Sequence, residues 1–291
     1  MRTVEVAVEA ADLIGEGAIW CDRTCKLWWV DVRRPTVQSF EPGSGLHDVF
    51  ALPEGLIVAS IMLRASGGFV LASNRGFLAY RPGFEPTVLQ DPLPIDGDMR
   101  LNDGRCDASG RIWCGSMLEH SRGPEGVLYR LDADGATSTH FRGLDIPNGI
   151  RWSPDGRTLY FADSSRHMVF ASDFDQDEGA ISDTRVLLDV TSSGAWPDGA
   201  AVDEDGCLWS TQNMGSCVLR ISPRGGVIDR LQMPVSLITS CGFGGADLST
   251  LFITTGRLRL LPHERAMQPL AGALFAAQVG VRGLREHRFA G

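Results

Sequence analysis

The sequence predicts an all-β fold, a six-bladed β-propeller with four antiparallel strands per blade. Three observations carry this. First, six short apolar runs recur, each behind a polar turn: "CKLWWVDV" ending at Val32, "GGFVLASN" at Asn74, "GRIWCGSM" at Met117, "RTLYFADS" at Ser164, "GCLWSTQN" at Asn213 and "STLFITTG" at Gly256. Their matching positions, Trp28, Val70, Trp113, Tyr160, Trp209 and Phe252, lie 42, 43, 47, 49 and 43 residues apart. A self-similar period in the forties marks an array of small structural units. Second, no long window shows helical periodicity. Third, "TVEVAVEA" at 3–10 reads as a strand without a unit of its own, which is what a closed ring needs to finish its last sheet.

Within each unit the order is constant. A first apolar stretch ends in a polar turn, as in "GRCDASG", "IRWSPDG" and "AAVDEDG". The recurring run is the second strand. A third follows, such as "TVQSFEPGSG", "GVLYRLDADG" or "CVLRISPRGG", and a fourth, such as "TRVLLDV" or "VIDRLQM", leads onward. Short β-prone runs bounded by Gly, Pro, Asp and Ser are antiparallel strands. A β-solenoid has shorter repeats without such hairpins. The N-terminal strand is expected to complete the last blade near "LREHRFAG", making 1–291 one domain.

Composition excludes several function classes. The 291 residues are 43% hydrophobic and 22% charged, as in ordinary soluble proteins. The 34 glycines and 15 prolines are spread along the chain and signal turns. A net charge of -9 disfavours nucleic acid as a partner. No charge run suggests a membrane patch, and no apolar run is long enough to span a bilayer. The N-terminus, with acids inside the would-be apolar core, does not read as a secretory signal. Seven cysteines, an odd number without CxxC spacing, read as buried or half-buried thiols in a reducing cytoplasm.

In a propeller the first strand of each blade lines the central channel, so residues at its start meet at one mouth. Glu16 stands 12 before Trp28, Asn102 11 before Trp113, Asn148 12 before Tyr160, and Asp198 11 before Trp209. The sixth unit has Ser240 and Cys241 there, and the second has Val58 to Ser60. Asn-Gly and Asp-Gly are also turn dipeptides, and one such pair alone would be read as a turn. Four at one repeat phase favour a shared site. Crowded buried carboxylates need a counter-charge. One divalent cation supplies it, and Glu, Asn and Asp oxygens suit Ca, Mg, Mn, Zn or Fe. The absence of His at these places disfavours a site dedicated to zinc or copper.

These stretches, "LIGEGAIW", "RLNDGRCDASGRIWCGSM", "IPNGIRWSPDGRTLYFADS", "PDGAAVDEDGCLW" and "TSCGFGG", resemble the gluconolactonase/regucalcin family from about Leu13 to Gly291. The resemblance implies a six-bladed propeller that hydrolyses a sugar lactone with one divalent metal. It implies metal ligands at Glu16, Asn148 and Asp198, substrate contacts at Arg100 and Asn102, and acid–base chemistry at Asp198. One departure follows the third-unit strand. Family members carry a substrate-binding acid there, and this chain has "CGSMLEH", with Glu119 and His120. The preferred alignment sets His120 at the acidic position and Glu119 beside it.

Other residues have plainer readings. Asp103 reads as a turn residue. Asp163 reads as a structural hydrogen-bond acceptor towards a neighbouring blade. Asp203, Glu204 and Asp205 read as one solvated turn. The recurrent Trp28, Trp113 and Trp209 belong to the core, and Trp196 could flank a sugar ring. His167 reads as a surface residue. Two further classes stay open beside the lactonase: a related esterase or organophosphate hydrolase, and a non-catalytic metal-binding propeller.

Overall fold

The computed structural model describes residues 3–95 and 97–291. Six four-stranded antiparallel sheets follow one another around a ring. Blade one shows the plan, with strands Gly15–Cys21, Lys26–Asp31, Thr36–Glu41 and Leu46–Ala51 from the axis outward. The innermost strands of blades two to six are Val58–Leu63, Met99–Cys106, Pro147–Trp152, Trp196–Val202 and Ile238–Gly244. Each packs against the next, and the sixth against the first, so the ring is closed.

The repeat positions hold the blades together. The buried apolar residues fall into six clusters, one at each blade interface. Trp28, Val70, Trp113, Tyr160, Trp209 and Phe252 each belong to a different one. Burying a large side chain contributes about 2–3 kcal/mol, so one such residue per interface repeats the same adhesive six times.

Closure differs in one detail from the sequence expectation. The N-terminal strand Val4–Val8 does complete blade six, but it pairs with Leu274–Gln278, not with the segment near "LREHRFAG". That last segment crosses the face of the ring where first and second strands are joined. It is tied to Leu63 and Ala65 through Phe289, and to Gly110 through Ala290. The one α-helix among the described residues, Pro262–Met267, lies between the second and third strands of blade six. Glu264 accepts the Leu261 amide at its start, 2.8 Å away.

Candidate functional site

Every innermost strand is irregular near its start. Pairing with the second strand shifts register between Glu16 and Ile19, Val58 and Ser60, Leu101 and Gly104, Asn148 and Arg151, Pro197 and Ala200, and Ile238 and Ser240. A bulge leaves residues unpaired and turns their side chains away from the regular alternation. Here it turns them into the channel. The Gly after Glu16, Asn148 and Asp198 is therefore part of a bulge and not of a hairpin turn, while after Asn102 the bulge holds Asp103 and Gly104 resumes pairing with Cys114. Gly149 has φ +61°, and a Cβ on it would come within 3.0 Å of the Asp198 carbonyl. On Gly199 a Cβ would collide with the Ser240 side chain at 2.5 Å.

The bulges bring Glu16, Asn102, Asn148 and Asp198 to the walls of one cavity of about 90 Å³, with Arg100 and Trp196 beside them. Asn148 is held from two sides: it donates to Ser164 Oγ at 2.9 Å and accepts from Asn102 Nδ2 at 2.8 Å. Asn102 also donates to the Pro147 carbonyl at 2.9 Å and accepts from Arg100. Asn213 donates to Asp198 Oδ2 at 2.9 Å. Asp198 Oδ1 is buried and has no hydrogen-bond partner among the described residues.

The carboxylates are strained electrostatically. Burial, then the charges of Asp198 and Asp103, push Glu16 well above the usual carboxylate range. Burial pushes Asp198 up to about 7, against the opposing Asn213 hydrogen bond and with help from Asp103. Asp103 is not in a turn. It lies within Met99–Cys106, is 6% exposed, and accepts from Ser60 Oγ and its own strand's Gly104 amide. It is an acid of the channel wall that the turn reading of "NDG" missed.

Of the pair after the third-unit strand, Glu119 belongs to the site. It accepts from Arg100 Nε at 2.6 Å and from Arg33. Burial alone raises its carboxyl, but Arg100 and Arg33 outweigh this and hold it below the usual range. His120 does not join. Its side chain is 80% exposed and pairs with Asp98, because consecutive residues leaving a strand point to opposite sides. Of the two candidate substrate contacts, the structure brings Glu119 to the Arg100 side chain and leaves His120 outside.

Other assignments also changed. Asp203 is fully buried and accepts from Trp209 Nε1 and Arg220 Nε, each at 2.8 Å. Only Glu204 and Asp205 are exposed. Asp107 does the same for Trp113 and Arg111. Asp163 bonds to the Asp145 and Ile146 amides at 3.0 and 3.1 Å, in the loop entering its own blade's inner strand, two residues before Asn148. His167 caps the Ala195 carbonyl at 2.7 Å and meets Trp196 edge-on, so it steadies the mouth from behind. Ser164 and Asn213 share one repeat phase, the end of the second-strand run, with Met117 and Gly256, and all four line the cavity; the rim residues Arg122 and Arg259 carried no repeat signal. Arg259 lies over the Trp196 ring at 5.9 Å.

The family-model comparison matches residues 14–257 to the SMP-30/Gluconolactonase/LRE-like region. The chain belongs to this family. A 6-deoxy-6-sulfogluconolactonase of Pseudomonas putida is 35% identical over all of this chain and 99% of its own. A pentonolactonase of Haloferax volcanii is 30% identical, covering 98% of each. Among solved structures, a calcium-binding regucalcin of Agrobacterium tumefaciens superposes with a TM-score of 0.93 at 26% identity, over 99% of this chain and 97% of that one.

The Agrobacterium relative is a calcium-binding protein, and the walls of this cavity carry oxygen donors. Among the described residues no three His, Cys, Asp or Glu side chains converge. The cluster is two carboxylates and two amides, an all-oxygen set suited to hard divalent ions. The orphaned Asp198 Oδ1 and the mutual repulsion with Glu16 are what a bound cation relieves. The donor set fits.

Proposed function

We propose that this protein hydrolyses a sugar lactone to the aldonic acid, with Glu16, Asn148 and Asp198 holding one divalent metal ion. The observation that carries the reading is the meeting of these three residues with Arg100 and Asn102 around one small cavity. It is supported by full-length similarity to relatives named as a sulfogluconolactonase and a pentonolactonase.

A bound divalent ion supplies Lewis-acid polarisation and eases ionisation of water. The chain's own groups do the rest. The Asp198 carboxylate, buried and with Oδ1 unpartnered among the described residues, stands at the cavity wall as the proton acceptor. It takes a proton from the attacking water and returns it to the ring oxygen as the C–O bond breaks. Arg100, steered by Glu119 and bonded to Asn102, presents a permanent positive charge to the oxygen on which negative charge develops. Asn102, whose Nδ2 is taken by Pro147 and Asn148, offers the remaining lone pair of its Oδ1 to a sugar hydroxyl. Trp196 supplies an apolar wall at the mouth.

The test is acid release from a panel of glucono-, pentono- and related lactones, followed with a pH indicator. Activity on at least one should vanish in EDTA and return with a divalent ion. Asp198→Ala should lower kcat by about 10³-fold or more and abolish tight metal binding. An active Asp198→Ala enzyme, or EDTA-resistant hydrolysis, overturns the assignment.

A further inference from the structure

A second cavity, of about 170 Å³, opens on the opposite face of the ring, beneath the turns that join first to second strands. The C-terminal segment roofs it with Leu284, Arg285, Glu286 and His287. Nothing in the proposed hydrolysis uses it, yet its walls are rich in buried donors.

Arg105 is 1% exposed and spans two inner strands, donating to the Ala18 carbonyl at 2.6 Å and the Ile61 carbonyl at 3.3 Å. Its Nε has no hydrogen bond. Arg151, 7% exposed, donates only to the Ile150 carbonyl, at 2.7 Å. Burial and the neighbouring Arg105 charge lower its guanidinium to about 10. The indole N–H of Trp152 is buried without a partner.

The acids nearby do not meet this demand. The Asp107 carboxylate is taken by Arg111 and Trp113. Asp155 bonds Ser153 and the Arg157 amide at the exposed rim. Arg285 pairs outward with Asp22. Glu286 remains, 3.7 Å from Arg105 Nε. Arg151 also feels the Asp103 charge from within the channel, yet the Arg105 Nε and Trp152 Nε1 donors stay without a hydrogen bond among the described residues. Buried donors are satisfied in folded proteins, by protein, water or ligand, and forked guanidinium donors match an oxyanion.

We propose that this cavity binds a small oxyanion, a carboxylate or phosphate group, through Arg151 with the free N–H groups of Arg105 and Trp152. The site is independent of the hydrolytic reading.

Two probes distinguish the source chemistry, sodium malonate and inorganic phosphate. Each is titrated against the metal-supplemented protein at constant ionic strength, with Tm as readout. Binding to the folded state alone raises Tm with the logarithm of probe concentration above the Kd; withdrawal of a bound cation by the probe would lower it. At least one probe should raise Tm by several degrees, and the stronger one names the group. Arg151→Gln should remove the shift, and without anion it should melt higher than wild type because a like-charge contact is gone. Trp152→Phe keeps the ring and loses only the N–H, so the apparent Kd should weaken by about tenfold. Arg259→Gln, on the opposite face, should keep the shift. No rise with either probe, or an unchanged rise in Arg151→Gln, overturns the proposal. Should Arg151→Gln fail to fold, an unchanged Kd in Trp152→Phe does so.

Discussion

Glu119 and His120 are adjacent in sequence, and one strand exit separates their roles. Glu119 sits between Arg100 and Arg33, so its charge fixes where the Arg100 guanidinium points. His120 pairs with Asp98 in solvent, where ion pairs are worth little. Glu119→Gln keeps the shape and removes the charge. It should cost about 10- to 100-fold in kcat/KM, through misplacement of Arg100, while His120→Ala should stay within about twofold. Steady-state kinetics on the active lactone checks both. The reverse pattern would move the substrate acid to the other residue. Residue type and spacing placed an acid or its neighbour here; the direction of each side chain depended on where the strand ends.

Two devices repeat at the scale of the blade element. One is the bulge with Gly that turns a polar side chain into the channel. The other is the buried acid after an inner strand, Asp107 or Asp203, which accepts a core tryptophan's indole N–H and an arginine. Reading "DEDG" as one solvated turn missed the second device, because three acids in a row look alike until packing buries one. Asp203→Ala removes the carboxylate that accepts from Trp209 Nε1 and Arg220 Nε. It should destabilise the fold by about 3–5 kcal/mol, lowering Tm by about 10 °C, with kcat/KM within about threefold of wild type. Glu204→Ala should change Tm little. Paired melting curves and assays test this, and an unchanged Tm for Asp203→Ala would count against a structural role.

At the scale of the whole molecule, the proposed ligands come from blades one, four and five. A cation there braces the ring across its axis. Without it, Glu16 and Asp198 keep protons that the unfolded chain releases near pH 4. Because the folded state then binds more protons, the stability they contribute is present at low pH and lost as pH rises from about 4 to about 7. Metal-free protein in EDTA should therefore show a falling Tm across that window. A divalent ion at a hundredfold excess over its Kd should restore about 2.7 kcal/mol, more at pH 8 than at pH 5.5, because protons compete for the same oxygens. Calorimetric scans from pH 5 to 8 with and without metal give the answer. A Tm that climbs with pH in EDTA would contradict the raised carboxyls.

The ring and the channel-facing set of Glu16, Asn102, Asn148 and Asp198 were legible in the chain because repetition converts sequence phase into position. Six units with one internal order admit one closed arrangement, and residues at one phase must then meet. Features that break the repeat were not legible. Arg122 and Arg259 sit at the site through loops whose path no period describes, and Asp103 entered the channel only because a bulge moved it there; Ser164 and Asn213 share a repeat phase, but only the fold shows that this phase lines the cavity. The C-terminal segment, expected beside the N-terminal strand, crosses instead beneath the axis and roofs a second cavity. Local pattern determines which residues can share a blade position. Bulges, loop paths and burial are settled by packing among blades distant in sequence, and that packing decides which of several equivalent acids is a wall, a staple or a solvated charge.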